Sequence, residues 1–512
     1  MKNLSIYLTL ISAWMIATSV AKGPNMIVII VDDMGYSDIG CFGSEISTPH
    51  IDQMAKEGLV FTNFTNAAKC TPSRTSLMTG LYMSEQNKKP FITIPQALSH
   101  YGYDSYAVGK WHIAIKEPLG MGFKKFYGFL PGATNFFTVQ AANRGESVLQ
   151  ENETMLTPDE DFYCTTAFTD KAIEYIYQRN KEKPFFLYLA YNAPHYPLQA
   201  PKEEVMKYRG KYKEGWTKLR TQRFAGLKAK GIIPKDAKLS DSEIQTEPIS
   251  KRENLDWDTL TDEQKDFQDL RMATYAAMID MVDQDIGRLI AKLKSEAIYE
   301  NTCIIFLSDN GACPFERTHT ETRKNKYMPW DPRSFYCYNE AWANACNTPW
   351  RRYKQNQHEG GIATPVIVHW PVGVKNPGRV DSERAHITDI HPTLFELAGG
   401  EQPQTFEANE IPPTRGISFA PTIFNREREK HKEIYYRYSQ YSALWQSGMK
   451  LVNNEKLYDI RLDRIEENDL SQKFPERFEA MKKRWLELDQ NIRGKKKGKS
   501  SDKTKKKKND AQ

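Results

Sequence analysis

The stretch Met26-Ile27-Val28-Ile29-Ile30-Val31, closed by Asp32-Asp33, carries the clearest structural signal in the chain. It is continuously apolar and mostly β-branched. It lacks the alternation of a strand with one wet face, and so reads as a strand buried on both sides. Similar short runs recur at Tyr106 to Val108, Phe185 to Tyr191, Cys303 to Leu307 and Val366 to Trp370, with helical patterns between them. The most regular of these places Tyr275, Met278, Ile279, Val282, Ile286, Leu289, Ile290 and Leu293 at helical spacing, predicting one long amphipathic helix ahead of the fourth run. Buried strands alternating with helices predict an α/β fold, a large mostly parallel sheet sandwiched by helices.

Thr388 to Leu397 predicts a helix that closes this main part, and Gly399-Gly400 ends it. Glu401 to Arg415 is rich in Pro, Glu and Thr and reads as a linker. Strand-like pieces at Ile434 to Tyr438 and Lys450 to Val452, then a helix from about Pro475 to Ile492, predict a smaller C-terminal α+β subdomain. The expected division is therefore a signal peptide over 1–21, a main domain over 22–400, a subdomain over 401–492 and a disordered Lys-rich tail over 493–512. Lys2, the apolar stretch Leu4 to Ile16 and Ser19-Val20-Ala21 have the three parts of a secretory signal, so the chain is expected to be exported, periplasmic or secreted, after cleavage near Ala21. That stretch is short for a membrane span, and no later one qualifies, so no transmembrane span is expected in the mature chain. The formal charge of +6 comes from the tail, where residues 495–508 alone carry +8. The body is then nearly neutral and gives no reason to expect a nucleic-acid partner. Seven cysteines, an odd number in an exported chain, leave at least one unpaired, and Cys337 and Cys346 are the nearest candidates for a bridge.

Ligands of open α/β sheets bind beyond the carboxyl ends of strands. Four of the five runs lead there into polar residues: Asp32-Asp33, Lys110 with His112, His195, and Asp309-Asn310. Adjacent carboxylates repel unless a cation joins them, and oxygen ligands suit a hard ion such as Ca²⁺ or Mg²⁺. One such pair alone reads more simply as a turn or helix cap. The second pair, Asp309-Asn310, turns the reading toward metal.

Cys70-Thr71-Pro72-Ser73-Arg74, continuing to Leu77-Met78-Thr79-Gly80, reads without further knowledge as holding a buried hydrophobic cysteine or a disulfide partner rather than a nucleophile. Pro72 suits a first helical turn, which places residue 70 at the positive end of the helix with Arg74 one turn along. This stretch resembles the modification signature of type I sulfatases of the alkaline phosphatase superfamily, in which the cysteine is oxidised to Cα-formylglycine. Gly102-Tyr103-Asp104-Ser105 through Gly109-Lys110-Trp111-His112 is similar to the family's other signature. Pro24-Asn25, Ala193-Pro194-His195, Ser308 to Gly311, and Lys354 ahead of His358-Glu359-Gly360-Gly361 extend the resemblance over about residues 24 to 400. LYDI at 457–460 adds weaker support. Lys69 departs from the pattern, which usually has an apolar or hydroxyl residue there.

The resemblance implies an alkaline-phosphatase-like fold and a sulfuric ester hydrolase whose catalytic domain spans 22–400. It implies metal ligation by Asp32, Asp33, Asp309 and Asn310, completed by the formylglycine from Cys70. Arg74 would hold an alkoxide or ester oxygen, and Lys110 and Lys354 would clamp the sulfate. His195 would protonate the leaving alcohol, since an alkoxide departs slowly at neutral pH. His112 would take a proton from the residue-70 hydroxyl so that sulfate is released. A formylglycine-generating or sulfatase-maturating enzyme is the implied partner, and a sulfated carbohydrate or aryl sulfate the substrate. The alternatives are a phosphodiester or phosphonate monoester hydrolase of the same superfamily, or a silent glycan-binding relative if Cys70 stays a thiol. His386 and His391 read as structural. Residues 206 to 265 and 312 to 350 match no motif and are expected to shape the pocket. There Trp330, Trp342, Arg351 and Arg352, with Tyr196, could face a sugar or be packing.

Overall fold

The computed structural model describes residues 23–86, 88–141, 145–241 and 256–493. The expected signal segment and the tail, apart from Arg493, lie outside the described residues. An eleven-stranded sheet runs in the order Arg379–Asp381, Leu59–Thr65, Ala363–His369, Thr302–Ser308, Asn25–Val31, Phe185–Ala190, Asp104–Lys110 and Lys125–Phe129, followed by two short edge strands; Ala385–His386 pairs beside Leu59–Thr65. All five predicted runs are strands. The central one, Asn25–Val31, is parallel to both neighbours, with Met26 opposite Phe186 and Ile30 opposite Leu307. Its alternate residues feed two cores: Ile27, Ile29 and Val31 face one, and Met26, Val28 and Ile30 the other. Each such side chain contributes about 1.5–3 kcal/mol on burial.

The predicted amphipathic helix extends over Asp262–Ser295 and covers the first core. Its start is fixed by a capping box between Thr261 and Gln264, with Asp262 and Glu263 in the first turn and Lys292 and Lys294 in the last, matching the helix dipole at both ends. The Ala363–His369 strand departs from a parallel pattern: it runs against both its neighbours. Its amino end therefore lies where the other strands have their carboxyl ends, and the residues before it, Lys354 to Gly361, arrive at the same edge of the sheet.

The C-terminal part is a four-stranded antiparallel sheet of Glu433–Tyr438, Tyr441–Gln446, Met449–Val452 and Lys456–Asp459. The second and fourth strands were not anticipated, because YSALWQ and KLYD are too short and too mixed in polarity to stand out. The predicted last helix, Pro475–Arg493, packs Met481, Trp485 and Ile492 on one face of this sheet. The other face, through Ile434, Tyr436 and Trp445, packs on Ala68 and Ile362 of the main domain. The segment read as a linker contains a small hairpin and then docks back: Arg415 N donates to Gly80 O at 2.8 Å, and Ile411, Phe419 and Ile423 join the second core. All seven cysteines are free thiols. The Cys337–Cys346 bridge does not form, because the two face different surroundings. Cys337 Sγ accepts from Arg317 N at 2.6 Å, whereas Cys346 is buried in the Glu340–Cys346 helix. No helix among the described residues is long and apolar enough to cross a membrane.

Candidate active site

Asp32 and Asp33 follow the central strand, and their backbones are pinned by its neighbours. Asp32 N donates to Ala193 O at 3.0 Å, and Asp309 N donates to Val31 O at 3.1 Å. Asp33 takes a left-handed backbone, φ 67°, which turns its carboxylate toward the next strand end. There Asn310 Nδ2 donates to Asp33 Oδ1 at 2.7 Å. Cys70 opens the Cys70–Thr79 helix, as predicted, with Lys69 at its N-cap. The Cys70 thiol is 1 % exposed and points at Asp32 Oδ1, 3.4 Å away. One ligand atom from each of Asp32, Asp33, Cys70 and His195 falls within 4.8 Å of the others.

Three cations meet the three carboxylates. Lys110 pairs with Asp32, Lys354 with Asp33, and Arg74 Nε with Asp309 Oδ2 at 2.7 Å. Burial works against ionisation of Asp32 and Asp33, but Lys110 on the first and Lys354 on the second outweigh it and hold both below the usual carboxylate range. Asp309 fares differently: burial, then the Asp32 charge, push it up to about 7 despite Arg74. Arg74 also donates from Nη1 to Lys110 O at 2.9 Å, which leaves Nη2 unpartnered. Its first task is thus to orient Asp309, and Nη2 is the donor that remains for a ligand. Burial pushes the Cys70 thiol up to about 12, so as a thiol it offers essentially no thiolate at neutral pH.

His195 Nε2 lies 3.4 Å from Asp33 Oδ2, while Nδ1 meets its neighbour's carbonyl, Tyr196 O, at 2.6 Å. His112, also left-handed at φ 47°, sets Nε2 at 3.1 Å from Thr71 Oγ1. Burial holds His112 at about 2 and His195 at about 3, so both imidazoles are neutral. Every residue expected at the site from the sequence is therefore brought to it.

A metal fits this arrangement on the chemistry of its donors. Asp33 Oδ2 and Asn310 Oδ1 are buried acceptors without a hydrogen-bond donor, and Asp309 resists ionisation beside two other carboxylates. A hard cation would meet all three conditions.

Comparison with known proteins agrees with this geometry. The family model described as Sulfatase matches residues 24–400. An uncharacterised sulfatase of Schizosaccharomyces pombe is 32 % identical, the match covering 91 % of this chain and 93 % of that one. The chain belongs to the sulfatase family. The arylsulfatase of Klebsiella aerogenes is also 32 % identical, over 80 % of this chain and 94 % of its own. Among solved structures, Ps i-CgsB superposes with a TM-score of 0.66 at 26 % identity, covering 91 % of this chain and 93 % of that one. Membership makes the protein a sulfuric ester hydrolase with an alkaline-phosphatase-like fold.

Some residues of this sulfatase site escaped sequence reasoning. Thr71, noted only as part of its motif, holds His112. Cys313, Phe315, Cys337 and Tyr338 line a small cavity with Asp33 and Tyr196. All four come from the 312–350 segment, which does shape the surroundings of the site. Trp342, by contrast, is packing: it is 0 % exposed and lies edge-on to Trp216 and Trp257 at 5.5 and 5.9 Å. Arg351 Nη1 donates to Glu466 O at 2.6 Å, at the junction with the C-terminal sheet. His386 and His391 are buried structural imidazoles, the latter bonded to Ile92 O at 3.0 Å.

Proposed function

We propose that this sulfatase acts on sulfated carbohydrates through a formylglycine made from Cys70, with Ca²⁺ or Mg²⁺ held by Asp32, Asp33, Asp309 and Asn310. The observation that carries this reading is a buried thiol, useless as a nucleophile in that state, pointing at Asp32 Oδ1 in a site whose acceptors Asp33 Oδ2 and Asn310 Oδ1 lack donors. Bound there, a divalent cation would polarise the sulfuryl oxygens and acidify a hydroxyl at residue 70. Lys110 and Lys354 clamp the sulfate, and Arg74 Nη2 adds a donor beside residue 70. His195, neutral before substrate arrives, would take up a proton from solvent at Nε2 when the ester's negative charge lies beside it and pass that proton to the departing alcohol, while Nδ1 stays on Tyr196 O. His112, held by Thr71 next to residue 70, takes the proton whose loss releases sulfate.

A carbohydrate is favoured over a simple aryl sulfate because Ps i-CgsB has been crystallised with k-i-k-neocarrahexaose, a saccharide by its name. Tyr196, Phe335 and His319 also form an aromatic group beside the site, with centroids 4.6 to 6.4 Å apart. The N-terminal order of charged, apolar and small residues supports export with cleavage near Ala21, and the chemistry requires a formylglycine-generating or sulfatase-maturating enzyme. The test combines peptide mass spectrometry of residue 70, elemental analysis and turnover of a panel of sulfated sugars. Fully active protein with an unmodified thiol, or with stoichiometric zinc as its required metal, would overturn the mechanism.

A further inference from the structure

His112 is held in place by little hydrogen bonding. Its Nε2 meets Thr71 Oγ1 at 3.1 Å, and its buried Nδ1 has no partner among the described residues. One hydrogen bond fixes a point on an imidazole but leaves the ring free to tilt about it, so the tilt has to come from packing. The backbone brings that second support close. In the paired strands Asp104–Lys110 and Lys125–Phe129, Lys110 lies opposite Phe129. Beyond that pair Trp111 N donates to Phe129 O at 2.9 Å, and His112 N donates to Leu130 O at 3.1 Å. The ladder therefore runs on past the strand ends and delivers the Pro131-Gly132 loop to the left-handed His112. A methyl group on Gly132 would lie 2.7 Å from His112 Cε1, 2.8 Å from Nε2 and 3.2 Å from Nδ1. An ordinary carbon contact is about 3.5–4.0 Å. The imidazole thus rests on the bare backbone of Gly132 while it touches Thr71, in the first turn of the Cys70–Thr79 helix.

Gly132 does not take a left-handed backbone, so no turn demands glycine there. What the position excludes is a side chain, and the atoms that exclude it belong to the His112 ring. We propose that Gly132 is a positioning residue for the sulfatase reaction: its lack of a side chain sets the tilt of His112 beside residue 70. The inference rests on the role given to His112 above and deepens it. A methyl group at 132 would displace the ring by up to about 1 Å, the shortfall from ordinary contact. The shift would also strain the hydrogen bond to Thr71. A misplacement of about 1 Å at a reacting group costs about 100-fold in rate.

The experiment is a double-mutant cycle of Gly132→Ala and His112→Ala in the whole metal-loaded protein, with nitrophenyl sulfate turnover normalised to formylglycine occupancy. Alanine suits the backbone at 132, a half-buried loop position, so the variant adds a methyl group and little else. Gly132→Ala is expected to lower kcat by about 10- to 100-fold and to leave KM within about threefold. Intact-mass analysis during its turnover should show protein with sulfate still attached at residue 70, because the step that His112 serves is sulfate release. The ring-nitrogen resonances of His112, assigned by their loss in His112→Ala, should shift in Gly132→Ala before any substrate is added. With the ring removed the methyl group has room, so adding Gly132→Ala to His112→Ala should change the residual rate by less than about twofold. Unmoved His112 resonances, a Gly132→Ala enzyme as fast as wild type, or an equal loss in both backgrounds overturns the positioning role and leaves the sulfatase mechanism standing. If His112→Ala itself loses less than about threefold, the role given to His112 fails and the proposal falls with it.

Discussion

Two of the buried charge clusters in this molecule are finished differently. At the junction with the C-terminal sheet, Glu359 receives Arg384 through both its oxygens at 2.8 and 3.0 Å, together with Lys450 at 2.7 Å and Arg464 at 3.0 Å. Glu466 accepts from Glu359 N and lies 2.8 Å from Lys450. Glu466 Oε1 accepts no hydrogen bond but lies against the Lys450 ammonium, so every carboxylate oxygen there has a donor or a cation, and the other atoms left over are donors on the edges of Arg384 and Arg464. At the active site the leftovers include acceptors, Asp33 Oδ2 and Asn310 Oδ1. A cluster that serves as a fastener closes its carboxylates, and one that serves as a site keeps oxygens open for something positive.

The sharpest way to break this contrast is Cys70→Ala. If the open cluster is built around a modified residue 70, turnover of nitrophenyl sulfate should fall by about 10⁴-fold or more. Stability should move by only about 1–2 kcal/mol, as measured by urea unfolding. Asp309→Asn should come next, lowering activity by about 10²–10³-fold and bound metal in elemental analysis, while leaving Arg74 with a neutral partner. Glu359→Gln exchanges the outcomes: loss of the closed carboxylate should destabilise by about 3–5 kcal/mol, with kcat per folded molecule within about threefold of wild type. Equal damage to activity from Glu359→Gln and Asp309→Asn would erase the distinction.

The smallest expected effect concerns pH. Burial holds His391 at about 4, below its unfolded value of about 6.5, so the fold favours its neutral form. Its contribution is present above about pH 6.5 and is lost as pH falls toward 4, at up to about 1.4 kcal/mol per pH unit. His391→Gln should flatten the wild-type dependence by about one proton over that window, and an unchanged slope would place the acid sensitivity elsewhere.

The buried strands and the residues at their carboxyl ends were legible because unbroken apolar runs and paired polar residues are local patterns. Asp32, Asp33, Asp309 and Asn310 follow directly from that rule. Lys354 does not, since it precedes its strand, and only the reversal of Ala363–His369 explains how it reaches Asp33; the family resemblance had to supply it. Cys313 and Phe315 were not legible at all. They sit on an irregular loop, where neither periodicity nor a motif marks a side chain, and only tertiary packing brings them to the cavity beside Asp33.

That reversed strand also sets a clock. Asp33 and Lys354 are 321 residues apart in the chain, yet each completes the other's charge. At about 5–20 residues per second, a ribosome needs about 15 to 65 s to travel from one to the other. Throughout that interval the pocket has no finished wall, and Cys70 lies on an incomplete chain. In the finished fold its side chain is 1 % exposed, so the modification proposed for it would have to come before that wall folds into place.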